Sequence, residues 1–212
     1  MKLTTKSDYR RARVTLAGCI VFLVCLLVDQ ITKALAVAYL YQDTYRTIPI
    51  IGSWIQLQYA ENDAIAFGIG SGNQTFMMIV TALTVVMIAA IAVLYFTLFK
   101  KNTPVKMCLA VIEAGAIGNL IDRLFVVGSK GTHIVRDFVD VSKLGFGICN
   151  IADFCITFGA VALIFCILFI GKSAVWPLTK KWREESKQAD MEAEAKEKED
   201  KDAEQKENDK IS

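Results

Sequence analysis

Four long apolar runs decide what this chain can become. They cover about residues 14–40, 74–99, 105–127 and 150–170. A stretch of about 20 apolar residues crosses the hydrocarbon core as a helix, and only helices or closed barrels satisfy their backbone there. The chain is 54% hydrophobic with a mean hydropathy of +0.40, too apolar for an ordinary soluble domain. The expected fold class is an all-α membrane protein: four transmembrane helices, a small extracytoplasmic β-element and a periplasmic loop.

The first run could be a cleavable signal peptide. It is too long for one, lacks a small-residue cleavage site and continues through Asp29 and Lys33. Those two residues are four apart, so they share a helix face and can pair. Residues 1–13 are a basic N-terminus, 14–172 the four-span unit, and 173–212 a charged, mobile tail without an apolar stripe. The extracytoplasmic segments are 41–73 and 128–149. In the first, Ser53 to Tyr59 alternates apolar with polar, which predicts a strand lying on the membrane surface. Glu61 to Gly68 reads as a turn, and 128–148 as a polar, glycine-bearing loop.

Four spans put both termini on one side. Basic residues flank the spans at the N-terminus, at Lys100, Lys101 and Lys106, and at Lys172, Lys180, Lys181 and Arg183, so that side is cytoplasmic. Lys130, Arg136 and Lys143 weaken the asymmetry locally. The near-zero net charge of +2 and the absence of a basic face exclude nucleic acid as a partner. The six cysteines form no CxxC, and five lie well within apolar runs, so they read as small buried apolar residues. The single histidine, His133, sits in a polar loop and reads as a surface residue. No metal or cofactor is expected.

Ionisable groups inside spans are costly and mark function. Helices rise about 1.5 Å per residue. That places Asp29, Asn119, Asp122 and Asp153 in the outer third of the membrane, with Asn62 and Asp137 entering from loops above. Asn150 and Asp153 are three apart at a helix start, so Asn150 can cap the helix while Asp153 gains from its dipole. Asn119, Asp122 and Arg123 line one side of the third span, where Asp122 and Arg123 read as satisfying charges or backbone. Asp137 and Asp153 are the candidate catalytic pair. Two carboxyls a few ångströms apart cannot both ionise cheaply, so one holds a proton while the other activates water. Glu113, deep in the third span, has no evident partner.

These residues fall in motifs that resemble bacterial lipoprotein signal peptidases (signal peptidase II). They are Asp29-Gln30-Ile31-Thr32-Lys33, Asn62-Asp63-Ala64-Ile65-Ala66-Phe67, Gly118-Asn119-Leu120-Ile121-Asp122-Arg123, Val135-Arg136-Asp137-Phe138 and Asn150-Ile151-Ala152-Asp153. They cover residues 14–172 in the family's order. The resemblance implies an inner-membrane aspartyl endopeptidase that uses no metal. It would cleave prolipoproteins before the diacylglyceryl-modified cysteine and be inhibited by globomycin-type cyclic peptides. Asp137 and Asp153 would be catalytic. Asp29, Lys33, Asn62, Asn119, Asp122, Arg123 and Asn150 would bind substrate or support the site. The chain would be a monomer whose partners are substrate and membrane lipid. It departs from the family at Ala64, where a glycine is usual, and at Cys149, where an aromatic is usual. Two other readings stay open: a proton-coupled transporter using Asp29, Glu113, Asp122 and Asp153 as a relay, and a non-catalytic scaffold that binds through its tail.

Overall fold

The computed structural model describes residues 6–43, 46–65, 69–97 and 103–170, with Thr179, Glu184, Glu185, Gln188 and Met191 beyond them. Ala66, Phe67 and Gly68, the Lys100–Lys101 flank, Trp176, Pro177, the basic residues from Lys172 to Arg183 and most of the charged tail lie outside the described residues. The chain groups into two units, Met1–Leu163 and Ile164–Ser212. The second unit contributes the end of the last helix, where the Phe165 and Phe169 rings lie 5.0 Å apart.

The elements in order are α1 (Lys6–Leu40), β1 (Ile48–Ile51), β2 (Ile55–Asn62), α2 (Gln74–Thr97), α3 (Thr103–Phe125), β3 (Val135–Asp140), β4 (Ile148–Cys149) and α4 (Ile151–Phe169). All four helices are long and apolar enough to cross a membrane. They match the four apolar runs to within a few residues, except that α1 begins eight residues earlier than position 14. Leu23, Leu27, Met78, Val86, Phe158 and Val161 are exposed, as expected where lipid replaces the protein core. The third span differs. It is 56% buried, against 11% or less for α1 and α2, so α3 is the hub of the bundle.

Small residues let α3 take that place. A Cβ on Gly118 would lie 2.5 Å from Asp29 Oδ2 and 3.4 Å from Ala152 Cβ, and one on Gly115 would strike the Ala152 carbonyl. Ala114 beside them is fully buried.

The four strands form one antiparallel sheet in the order β1-β2-β3-β4. Here the structure departs from the expectation of a β-element confined to residues 41–73. The segment after α3 supplies β3 and β4, and β3 pairs with β2 through Ala60↔Asp137, Glu61↔Arg136 and Asn62↔Val135. Glu61 and Asn62 thus end a strand, and the bend begins only at Ala64. The sheet is seated on the end of α1. Ala36 and Leu40 pack with Tyr59, Phe138, Val139 and Val141 in one apolar cluster. That packing sets the level at which β3 meets the start of α4.

Candidate active site

The site is assembled at the N-terminus of α4. A helix start leaves its first N–H groups without internal partners, and here those of Asn150, Ala152 and Asp153 find side-chain acceptors. Asn150 Oδ1 accepts from the Asp153 N–H at 3.0 Å, and the Asp153 carboxylate accepts from the Asn150 N–H at 3.0 Å. This is a reciprocal capping box. The next donor, Ala152 N–H, is taken by Asp29 Oδ1 of α1 at 2.9 Å. The cap expected at Asn150 is therefore present, and α4 is latched to α1 beside it.

Asn150 has one further group. Its Nδ2 donates to Asp137 Oδ1 at 2.6 Å, and Asn62 Nδ2 donates to Asp137 Oδ2 at 2.8 Å. The other acid is held in the same way, with Asn119 Nδ2 donating to Asp153 Oδ1 at 2.8 Å. Asp137 and Asp153, from β3 and α4, thus share one neighbour that touches both. Asp137 is only 2% exposed. Burial, reinforced by repulsion from Asp153, pushes its carboxyl up to about 7, against the opposing hydrogen bonds from Asn62 and Asn150. Desolvation outweighs two good amide donors, which marks a poorly solvated acid.

A layer of fully paired charges supports the two acids. Lys33 is completely buried. Its Nζ lies 3.0 Å from Asp29 Oδ2 and 3.5 Å from Asp122 Oδ2, and it donates to Asn119 Oδ1 at 2.9 Å. Asp122 is clamped by Arg136, through Nη2 at 2.6 Å, Nε at 3.1 Å and the backbone N–H at 2.9 Å. Two cations and two anions balance, which is what lets ionised groups stay out of water. The chain Lys33–Asn119–Asp153 ties this layer to the α4 acid.

Arg123 reaches the Ala64 carbonyl through Nη2 at 3.3 Å. Its Nε is buried with no hydrogen-bond partner among the described residues. Asp29, Lys33, Asn62, Asn119, Asp122, Asp137, Asn150 and Asp153 therefore join one hydrogen-bonded and ion-paired network, with Arg123 at its edge. Glu113 is not among the described residues that join that network and lies six positions before Asn119 on α3. Sequence reasoning passed over Gln30 and Arg136 as site residues. Gln30 donates to the Gly118 carbonyl at 3.1 Å and accepts from Arg136 Nη2 at 3.1 Å. No local signal pointed to Arg136: only once β3 forms do Arg136 and Asp137, adjacent on the strand, point to opposite faces.

Comparison with known proteins follows the same residues. Residues 21–169 match the family described as signal peptidase (SPase) II. The lipoprotein signal peptidase of Brevibacillus brevis is 32% identical over 149 residues, covering 70% of this chain and 93% of that protein. That of Shouchella clausii is 35% identical over 154 residues, covering 73% and 94%. A solved structure described as a bacterial membrane enzyme, determined by the in meso method at 2.3 Å, superposes with a TM-score of 0.61 at 26% identity. It covers 72% of this chain and 87% of its own. A second, at 1.9 Å, gives 0.60 at 25% identity. The chain is thus a multi-pass membrane protein of a protease family, and it belongs to the signal peptidase II family.

Proposed function

We propose that this chain is an aspartyl endopeptidase that removes the signal peptide of prolipoproteins on the N-terminal side of the diacylglyceryl-modified cysteine. The reacting groups in this reading are Asp137, Asp153 and one water. One observation carries it: the single side chain of Asn150 bonds Asp137 while its cap holds Asp153. With a carboxyl that titrates near 7, Asp137 carries the shared proton around neutrality. Asp153 is the carboxylate that takes a proton from water as the water attacks the scissile carbonyl. Asp137 protonates the carbonyl oxygen and then, once recharged from the pair, the leaving amine. The unpartnered Arg123 Nε supplies a donor for a substrate carbonyl. Asn62, Asn119 and Asn150 hold the two acids, and Asp29, Lys33 and Asp122 hold the helices that carry them.

In the same reading the chain sits in a bacterial inner membrane with both termini cytoplasmic, a reading the basic flanks support. The reaction then runs near the extracytoplasmic face. A lipid-anchored substrate enters sideways from the bilayer, and globomycin-type cyclic peptides occupy the same site. The first test is processing of a lipidated reporter peptide by the purified chain. Asp137→Asn and Asp153→Asn are each expected to lower turnover by about 10²–10⁴-fold, with membrane insertion unchanged. Normal turnover in either variant removes that aspartate from the chemistry.

A further inference from the structure

Side chains alternate along a strand, so Tyr59 and Glu61 of β2 share the face opposite to Asn62, and Asn62 bonds Asp137. On that far face lies a cavity of ≈ 540 Å³, lined by Tyr41, Gln42, Tyr59, Ala60, Glu61 and Ser129. The mechanism uses none of these residues. The Tyr41 and Tyr59 rings meet edge-on, with centroids 5.3 Å apart at 85°. Glu61 Oε2 accepts from the Ser129 N–H at 2.8 Å and from the Ser129 hydroxyl at 2.6 Å. Gly128 makes this possible, because a Cβ there would come within 2.8 Å of the same oxygen.

Glu61 is therefore fixed in place, yet its charge is unanswered. Its cross-strand neighbour Arg136 is committed to Asp122 and Gln30. Among the described residues no Lys, Arg or His forms an ion pair with Glu61. Burial and the nearby Glu61 push the Tyr59 phenol up to about 12, so the ring stays neutral and electron-rich. A carboxylate with a free oxygen beside two phenol rings is the recognition chemistry of an organic ammonium ion. A divalent metal requires more oxygen ligands than one carboxylate supplies. The cavity's place in the fold selects the source. Tyr41 and Gln42 directly follow Leu40, the last residue of a spanning helix, and therefore sit at the headgroup level of the bilayer.

We propose that Tyr41, Tyr59 and Glu61 form a binding site for the ammonium headgroup of a membrane phospholipid, separate from the aspartate site. Binding there ties the sheet to the lipid surface at the edge where β2 meets the loop after α3. The test uses the full chain in detergent, titrated with short-chain phosphatidylethanolamine, with phosphatidylglycerol of the same chains, and with free ethanolamine. The readout is bound lipid by native mass spectrometry. The expected order is phosphatidylethanolamine well above both others. Glu61→Gln keeps an acceptor for Ser129 and removes the charge; Tyr41→Leu removes a ring wall. Each should weaken the phosphatidylethanolamine adduct about tenfold, with reporter-peptide turnover in detergent unchanged. Equal binding of phosphatidylglycerol, or an unchanged adduct in Glu61→Gln, overturns the site. Free ethanolamine binding as well as the lipid overturns the lipid as its source.

Discussion

Asn150 shows why residue identity at this site is so constrained. Its Oδ1 caps α4 and its Nδ2 donates to Asp137. An aspartate in its place would keep the cap, lose the donor and add a third carboxyl beside two acids. The burial of Asp137 gives a pH prediction. Its carboxyl is raised from 3.8 to about 7, so the proton is held below that pH and lost above it. If the protonated form is the acid, kcat/KM for the lipidated reporter falls as pH rises through about 7. An Asp153-only mechanism would leave that alkaline limb absent. Lys33 makes a second case. Lys33→Met leaves Asp29 buried without its ion pair, and removing one partner of a buried pair costs about 3–5 kcal/mol. A large drop in thermal stability in detergent is expected even for substrate-free protein. At this scale the sequence was informative where partners are near in the chain: the i, i+4 spacing of Asp29 and Lys33 anticipated their contact. It was silent on Asp122 choosing Arg136, because the strand that brings them together was not visible.

Among the elements, α3 carries the architecture. Its glycines admit Asp29 from one side and the start of α4 from the other. Gly118→Ala puts a methyl group where the Asp29 carboxylate sits. The Asp29 bonds to Lys33 and Ala152 N–H are then strained, so turnover should fall at least tenfold while Ala114→Ser, on the same face, is far milder. Measuring both in the reporter assay separates loss of the latch from general intolerance of α3. The helices were legible because an unbroken apolar run has few alternatives in lipid. β2 was legible from its alternation. β3 was not: Val135-Arg136-Asp137-Phe138-Val139-Asp140 places three charges in six residues, against strand propensity. It is a strand because β2 offers it an edge and because Arg136 and Asp137 find buried partners on opposite faces. Function overrides local preference at this one element.

For the molecule as a whole, the segments 41–73 and 128–149 are one structure. The first brings Asn62 and the second brings Asp137, and their sheet rests on the end of α1. The site therefore needs α1, α3, α4 and both segments at once, which a linear reading of motifs could locate by depth but could not join. The family match spans residues 21–169, which includes every residue of that network. The most direct check of the central claim is whether the two acids act as a unit. The measurement is single-turnover processing of a lipidated reporter by Asp137→Asn, Asp153→Asn and the double variant. A shared-proton pair predicts that the double variant is no slower than the worse single variant, because either change alone already disables the unit. Losses that multiply in the double variant would contradict it, showing two aspartates that contribute independently.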